Sequence, residues 1–258
     1  MSSITGKNLR ESMDRWVSRR NDVLAGQYIA FARYAWNGTH NENYLQAEAA
    51  DAAVIRGGLV GESGELAEEI KKGIRSRGMK WKPQDLVLEI GDVFFYLTQA
   101  ALRHGNNGDT DLMARVRALI ELWRCQPSGH EATLRLLEER LPFVAGSNYA
   151  DAALHLKLLY LAEDVALAAA QLAISIRRSS LDHPDGPSFD DVTLMRAMGK
   201  LEEMCLVLGV GFRDLFVLNG AKIVERRVEF WRDNDAPRDA FARMVDAVDP
   251  FDLEIELP

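Results

Sequence analysis

Gly61-Glu62-Ser63-Gly64-Glu65-Leu66-Ala67-Glu68-Glu69-Ile70-Lys71-Lys72 and Leu88-Glu89-Ile90-Gly91-Asp92-Val93-Phe94-Phe95-Tyr96-Leu97 are the two stretches that decide how this chain reads. Each sets two carboxylates three residues apart, the spacing of neighbours on one helical face. Projected at about 100° per residue, Glu62 at zero puts Glu65 near 300°, with Leu59, Leu66 and Ile70 between roughly 40° and 80°. With Glu89 at zero, Asp92 falls near 300°, and Leu86, Ile90, Val93 and Leu97 fall between roughly 40° and 100°. In both helices the acids flank an apolar stripe. Packing the stripes together brings four carboxylates to the edge of a core, where repulsion is costly without cations. Oxygen-only donors favour Mg²⁺, Mn²⁺ or Ca²⁺ over zinc, and Mg²⁺ combines a few carboxylates with waters and substrate phosphates.

One Glu-x-x-Glu pair would carry little weight, because solvated helix faces are full of them. Two pairs, each beside an apolar stripe, carry more. Glycines at positions 57, 58, 61 and 64 add to this, since each costs on the order of 1 kcal/mol in a helix interior relative to Ala. Close approach of the backbone to a neighbour or ligand would explain that cost.

The same residues resemble the all-α nucleoside triphosphate pyrophosphohydrolases, a superfamily that includes MazG-like proteins, dimeric dUTPases, dCTP pyrophosphatases and phosphoribosyl-ATP pyrophosphohydrolase. Its signature is E-x-x-E, a gap of roughly one to two dozen residues, then E-x-x-D. Glu62-x-x-Glu65 and Glu89-x-x-Asp92 match it, with 23 residues between Glu65 and Glu89. The words G-E-x-G-E-L and E-I-G-D-V-x-x-Y-L are similar too, and the close match covers about residues 55 to 100. The resemblance implies that Glu62, Glu65, Glu89 and Asp92 bind Mg²⁺, with Mn²⁺ as the alternative ion. That metal would activate a water and neutralise a triphosphate, giving a nucleoside monophosphate and pyrophosphate.

Length and composition bound the rest. A chain of 258 residues exceeds one such unit, so two units or one with large additions are expected. With 47% hydrophobic and 27% charged residues it is an ordinary globular composition with material for a full core. The net charge of -8 argues against broad nucleic-acid binding. No membrane span is expected, because the longest apolar stretches, such as Val165 to Ile176, are too short and contain Gln171. Charged residues from Lys7 to Arg15 interrupt any signal peptide, and Cys125 and Cys205 form no C-x-x-C. A reducing, cytoplasmic setting is the expectation.

Apolar residues recur at three- and four-residue spacing throughout, and strand-like alternation does not persist, so the chain is expected to be all-α. Helices are predicted near 8–36, 44–74, 84–104, 111–124, 130–141, 149–178, 190–208 and 212–233, with a short further helix after Pro237. A faint internal repeat is also visible. Setting Ala197 at zero lands Leu194, Met198, Leu201 and Cys205 on the stripe held by Leu86, Ile90, Val93 and Leu97, and Gly199 then matches Gly91. Ala197 replaces Glu89, Lys200 replaces Asp92, and upstream Glu163 and Ala166 stand for Glu62 and Glu65. Three of the four ligands are gone. The expected organisation is a repeat with intact motifs over 1–125, a degenerate repeat over 126–235 and an acidic tail over 236–258, the two repeats forming a pseudo-dimer within the chain. Unrelated helical pairs of common periodicity would look alike at this level.

The second half carries what the first lacks. Asn219, Lys222 and Arg226 share one polar, cationic helix face. Family members often end with a similar N-x-x-K-x-x-x-R helix that contacts substrate phosphates. Aligning Asp214-Leu215 with Asp111-Leu112 sets Val116 and Leu119 where Asn219 and Lys222 stand. The expectation is complementation: acids from the first half, cations from the second, one site. A solvated surface face is the plain alternative.

Other residues are read with both meanings open. Glu69 lies along the acidic face as a supporting group or a further ligand. Tyr96 either bonds a ligand carboxylate or plugs the core. Trp81, with Lys80 and Lys82, either stacks on a base or anchors its loop. Trp36, Trp123 and Trp231 read as packing residues, and Lys71 and Lys72 suit a helix C-terminus. The expected reaction is hydrolysis of the α-β phosphoanhydride of an NTP or dNTP, with Glu62 or Glu65 accepting the proton of water. Phosphoribosyl-ATP hydrolysis and a non-catalytic nucleotide or metal sensor are the rival readings. No nucleic acid or membrane partner is expected, and homodimerisation beyond the pseudo-dimer is open.

Overall fold

The computed structural model describes residues 24–36, 44–75, 83–104, 112–123, 149–180 and 190–233, together with Glu11 and Asp14. These residues form seven helices and no strand: α1 Leu24–Ala35, α2 Tyr44–Arg75, α3 Pro83–His104, α4 Leu112–Leu122, α5 Tyr149–Ser180, α6 Asp191–Leu208 and α7 Phe212–Asp233. The chain is all-α, as its periodicity requires. Six of the elements begin and end within two residues of their sequence-based bounds. The helix expected at 130–141, most of the stretch before Leu24, and the tail after Pro237 lie outside the described residues.

Four helices close into a ring, with α2 against α5, α5 against α6, α6 against α3 and α3 against α2. The reason is in the stripes. Ile55, Leu59, Leu66 and Ile70 of α2, and Leu86, Ile90, Val93 and Leu97 of α3, are fully buried. On the far side Leu158, Ala162, Val165, Ala169 and Leu172 of α5 meet Leu194, Ala197, Met198, Leu201 and Cys205 of α6, also buried. Burying each large aliphatic side chain contributes roughly 1.5–3 kcal/mol.

The remaining helices cover the α3 side. Helix α1 packs on α3, α4 and α7, and α4 also touches α3 and α6. An aromatic cluster binds them: Tyr28 stands edge-on to Phe212 and Phe216, at ring separations of 5.0 and 5.1 Å, while Phe94 meets Phe212 at 5.3 Å and Trp123 at 5.7 Å. Such pairs add about 0.5–1.5 kcal/mol each beyond area burial. Trp36 and Trp123 are packing residues, as read; the Trp231 side chain lies outside the described residues.

The position of α7 is set by the end of α6. Gly209 caps that helix in the left-handed region at φ 76°, and the amide of Val210 donates to Cys205 O at 2.8 Å. Only glycine adopts that conformation without a Cβ penalty. The chain turns through 104° between α6 and α7, which carries α7 away from its own neighbour and onto α3. Trp123 Nε1 donates to Val210 O at 3.4 Å and holds the corner.

Candidate metal and phosphate site

Where α2, α3 and α7 meet, carboxylate oxygens of Glu62, Glu89 and Asp92 lie within 4.8 Å of one another. Glu62 and Glu89 are half-buried and Asp92 is buried. Helix α7 supplies the counter-groups. Asn219 Nδ2 donates to Asp92 Oδ1 at 2.6 Å and lies 3.5 Å from the carbonyl oxygen of Leu88. Lys222 Nζ pairs with Asp92 Oδ2 and stands 3.9 Å from Glu89 Oε1. Arg226 is exposed, yet close enough for its charge to act on Glu62. The Asn/Lys/Arg face is therefore not plain solvated surface: two of its three members are turned onto the acids of the first half.

The approach of α7 depends on a missing side chain. A Cβ at Gly91 would stand 2.6 Å from Asn219 Cβ, inside any real contact distance. Gly91 thus lets α7 come close enough for Asn219 to reach Asp92, one residue along. Gly58 works similarly, since a Cβ there would stand 2.2 Å from the Tyr96 ring. Tyr96 also stands edge-on to Trp36 at 6.1 Å, and the Arg103 guanidinium lies over the Trp36 ring at 5.2 Å. Gly57, Gly61 and Gly64 have nothing within 4 Å of their Cβ positions. For those three the expected close neighbour is not found among the described residues.

The electrostatics are those of crowded acids. Burial, joined by Asp92, Glu62 and Glu65, pushes the Glu89 carboxyl up to about 7 against the opposing pull of Lys222. Burial also raises Glu62, with Asp92 and Glu65 adding to it and Lys222 and Arg226 opposing. Glu89 Oε2 is buried with no hydrogen-bond partner. An all-oxygen donor set, a buried carboxylate oxygen without a proton donor, and acids held against their ionisation fit a hard divalent cation.

Glu65, the fourth expected ligand, is exposed one turn along α2; its charge reaches Glu62 and Glu89, but it stands outside the three-acid cluster. Glu69 is buried and takes a 2.7 Å bond from Lys72, a supporting position rather than one in the cluster. Lys71 and Arg75 pair with Glu68 on the exposed side. Trp81 lies outside the described residues.

The corresponding place in the second half holds no such cluster among the described residues. Ala197 is buried, Glu163 is exposed, and Lys200 is 3.2 Å from Glu203 and 3.9 Å from Asp164. In the second half the lysine at the position of Asp92 itself neutralises the neighbouring acids. Val116, set against Asn219 in the alignment, is buried, and Leu119 is half-buried.

Sequence reading missed Gly91 as the gate for α7 and Tyr28 beneath the site. The Tyr28 phenol is raised by burial, with the Asp92 charge adding to it. The E-I-G-D word gave a signal for Gly91, but its partner lies 128 residues away. No protein-family model matches the chain, and neither a curated protein nor a solved structure matches it.

Proposed function

We propose that the protein is a Mg²⁺-dependent nucleoside triphosphate pyrophosphohydrolase, cleaving the α-β phosphoanhydride of an NTP or dNTP to the monophosphate and pyrophosphate. One observation carries the reading: the cationic helix α7 is docked on the acid cluster of α2 and α3, with Lys222 and Asn219 both on Asp92. A site for a metal alone would not need a lysine there, and a site for an anion alone would not need three carboxylates. A metal-bound polyphosphate needs both.

In this reading Glu62, Glu89 and Asp92 hold Mg²⁺, with Glu65 available one turn along α2. When bound, the ion supplies Lewis acidity toward phosphoryl oxygens and lowers the pKa of a coordinated water. Asn219 fixes the orientation of Asp92. Lys222 and Arg226 meet the charge of the polyphosphate and of the leaving pyrophosphate. Glu62 or Glu65 accepts the proton of the attacking water.

The proposal extends to organisation. Helices α2 and α5 are both 32 residues long, and like pairs with like around the ring, α2 with α5 and α3 with α6. The packing of α7 on α3 has its counterpart in α4 on α6. This supports a MazG-like pseudo-dimer of two repeats, over 1–125 and 126–235, with one live site and one that a lysine has closed.

The test is pyrophosphate release from a panel of canonical and modified NTPs and dNTPs with Mg²⁺, with Glu65→Gln as blank. Release confined to wild type is the expected result and identifies the base. No release from any nucleotide overturns the reading.

A further inference from the structure

The Lys222 ammonium lies on the oxygens that a divalent cation would use. It pairs with Asp92 Oδ2, stands 3.9 Å from Glu89 Oε1, and its charge also acts on Glu62. One lysine thus reaches all three acids of the cluster. The other oxygen of Asp92, Oδ1, accepts from Asn219 at 2.6 Å, and Asp92 is only 5% exposed. A cation that draws on Asp92 and Glu89 together therefore meets the ammonium at Asp92 Oδ2. Two positive charges a few ångströms apart in a half-buried place repel strongly, so lysine and ion exclude one another there.

The lysine is free to leave without its helix. Leu215, Phe216, Leu218, Ala221 and Val224 of α7 are buried in the core, and Asn219 packs against Gly91. Helix α7 is anchored by contacts that Lys222 does not share. The ammonium rides on a flexible four-carbon stem, and the side chain is partly exposed. Arg226, fully on the exposed side, shares its helix face one turn along. A swing toward Arg226 takes the lysine Nζ off the acids with no change in the backbone. That swing gives up an ion pair, and the oxygens of a polyphosphate lying across Lys222 and Arg226 replace it with charge-assisted hydrogen bonds.

We propose that Lys222 is a built-in competitor for the divalent cation, so that the acids bind the ion tightly only when a polyphosphate draws the lysine off Asp92. The inference rests on the hydrolase reading for its ion and its anion, and it deepens that reading. The ligand of the site is the ion and the polyphosphate together, each raising the affinity of the other by the same factor. A bare ion has to displace the lysine without offering it a partner, and a bare polyphosphate has to draw the lysine away and leave the acids crowded. Lys222 is thereby a specificity residue that selects the metal complex of a polyphosphate over either component.

Titration of the full chain with Mn²⁺ alone, followed by electron paramagnetic resonance, tests it, with thermal melts as the check on folding. Lys222→Met keeps the stem and removes the charge. It is expected to bind Mn²⁺ about ten-fold more tightly than wild type, the reverse of what losing a merely structural contact would give. Lys222→Gln is the second variant and is expected to shift the same way. In wild type, the Tm gain from Mg²⁺ with imidodiphosphate should exceed the sum of the gains from each alone, and in both variants that excess should shrink. Mn²⁺ binding that is equal or weaker in the folded variants, or a wild type without the excess, overturns the proposal. The hydrolase reading fails separately, by the absence of pyrophosphate release from wild type. A wild type that releases pyrophosphate while its variants gain no Mn²⁺ affinity keeps the hydrolase and loses the competitor, and Mn²⁺ bound by none of the proteins overturns both.

Discussion

Asn219 donates to Asp92 at 2.6 Å across 127 residues of chain. The amide comes from the last described helix and the carboxylate from the third. Neither half of the chain holds both. The acid cluster is therefore completed by tertiary docking, and any change that moves α7 should be felt at Asp92 before it is felt in the core.

Lys222 is the first place to test this. Lys222→Glu adds a fourth negative charge beside Glu62, Glu89 and Asp92. On the proposed function it should raise KM strongly and reduce kcat/KM on the order of 10²-fold or more, while the buried stripes keep the fold. Steady-state kinetics with circular dichroism measures both, and unchanged kinetics would remove Lys222 from the site.

Glu89 predicts a pH dependence. Its carboxyl is raised to about 7 in the folded protein from an ordinary value of 4.5, with burial the first cause. The contribution of this group to metal-free stability is fully present below that ordinary value and is lost as pH rises through about 7. On the proposed function Mg²⁺ requires the ionised form, so its affinity should climb over the same interval, with proton release on binding below pH 7. The Tm gain from saturating Mg²⁺ should grow between about pH 5.5 and 8. In Glu89→Gln that growth should shrink to what Glu62, also raised by burial, still supplies, and a wild-type gain flat with pH would contradict the assignment.

Gly91 and Gly199 make a matched pair, equivalent in the internal alignment. A Cβ at Gly91 collides with Asn219, while a Cβ at Gly199 meets nothing within 4 Å. Gly91→Ala should shift α7, costing stability and, on the proposed function, most activity. Gly199→Ala should stabilise by roughly 0.5–1 kcal/mol, because alanine removes backbone entropy from the unfolded chain. Thermal melts of both variants decide it.

Glu65→Gln separates the exposed acid from the cluster. Glu65 is exposed, so its amide should leave Tm nearly unchanged. On the proposed function it removes most turnover and weakens Mg²⁺ binding. Retained turnover would leave the three-acid cluster sufficient by itself.

Much of this architecture is legible in the residues. The 3.6-residue stripes gave the helices and their buried faces, because burial of Leu59, Leu66, Ile90 and Val93 leaves few alternatives. The acids were legible as pairs, since three-residue spacing fixes a face, yet spacing does not give depth, and it did not separate exposed Glu65 from half-buried Glu62. The link from Lys222 to Asp92 could be guessed only through the repeat and the resemblance of the Asn219, Lys222 and Arg226 helix, for periodicity says nothing about which helix lands on which. Phe94, Phe212, Phe216 and Tyr28 were visible as aromatics, but their cluster depends on the corner at Gly209, a single left-handed residue whose consequence is three-dimensional.

That corner also sets an order of events during synthesis. A chain still ending before Gly209 already contains Glu62, Glu89 and Asp92, and their nearest fixed cation is not yet made. The acid cluster stays electrostatically open until α7 emerges, turns and docks. Completion of the site thus reports that translation has run to the far end of the described fold, and a product truncated within α6 would carry the acids without the lysine that tempers them.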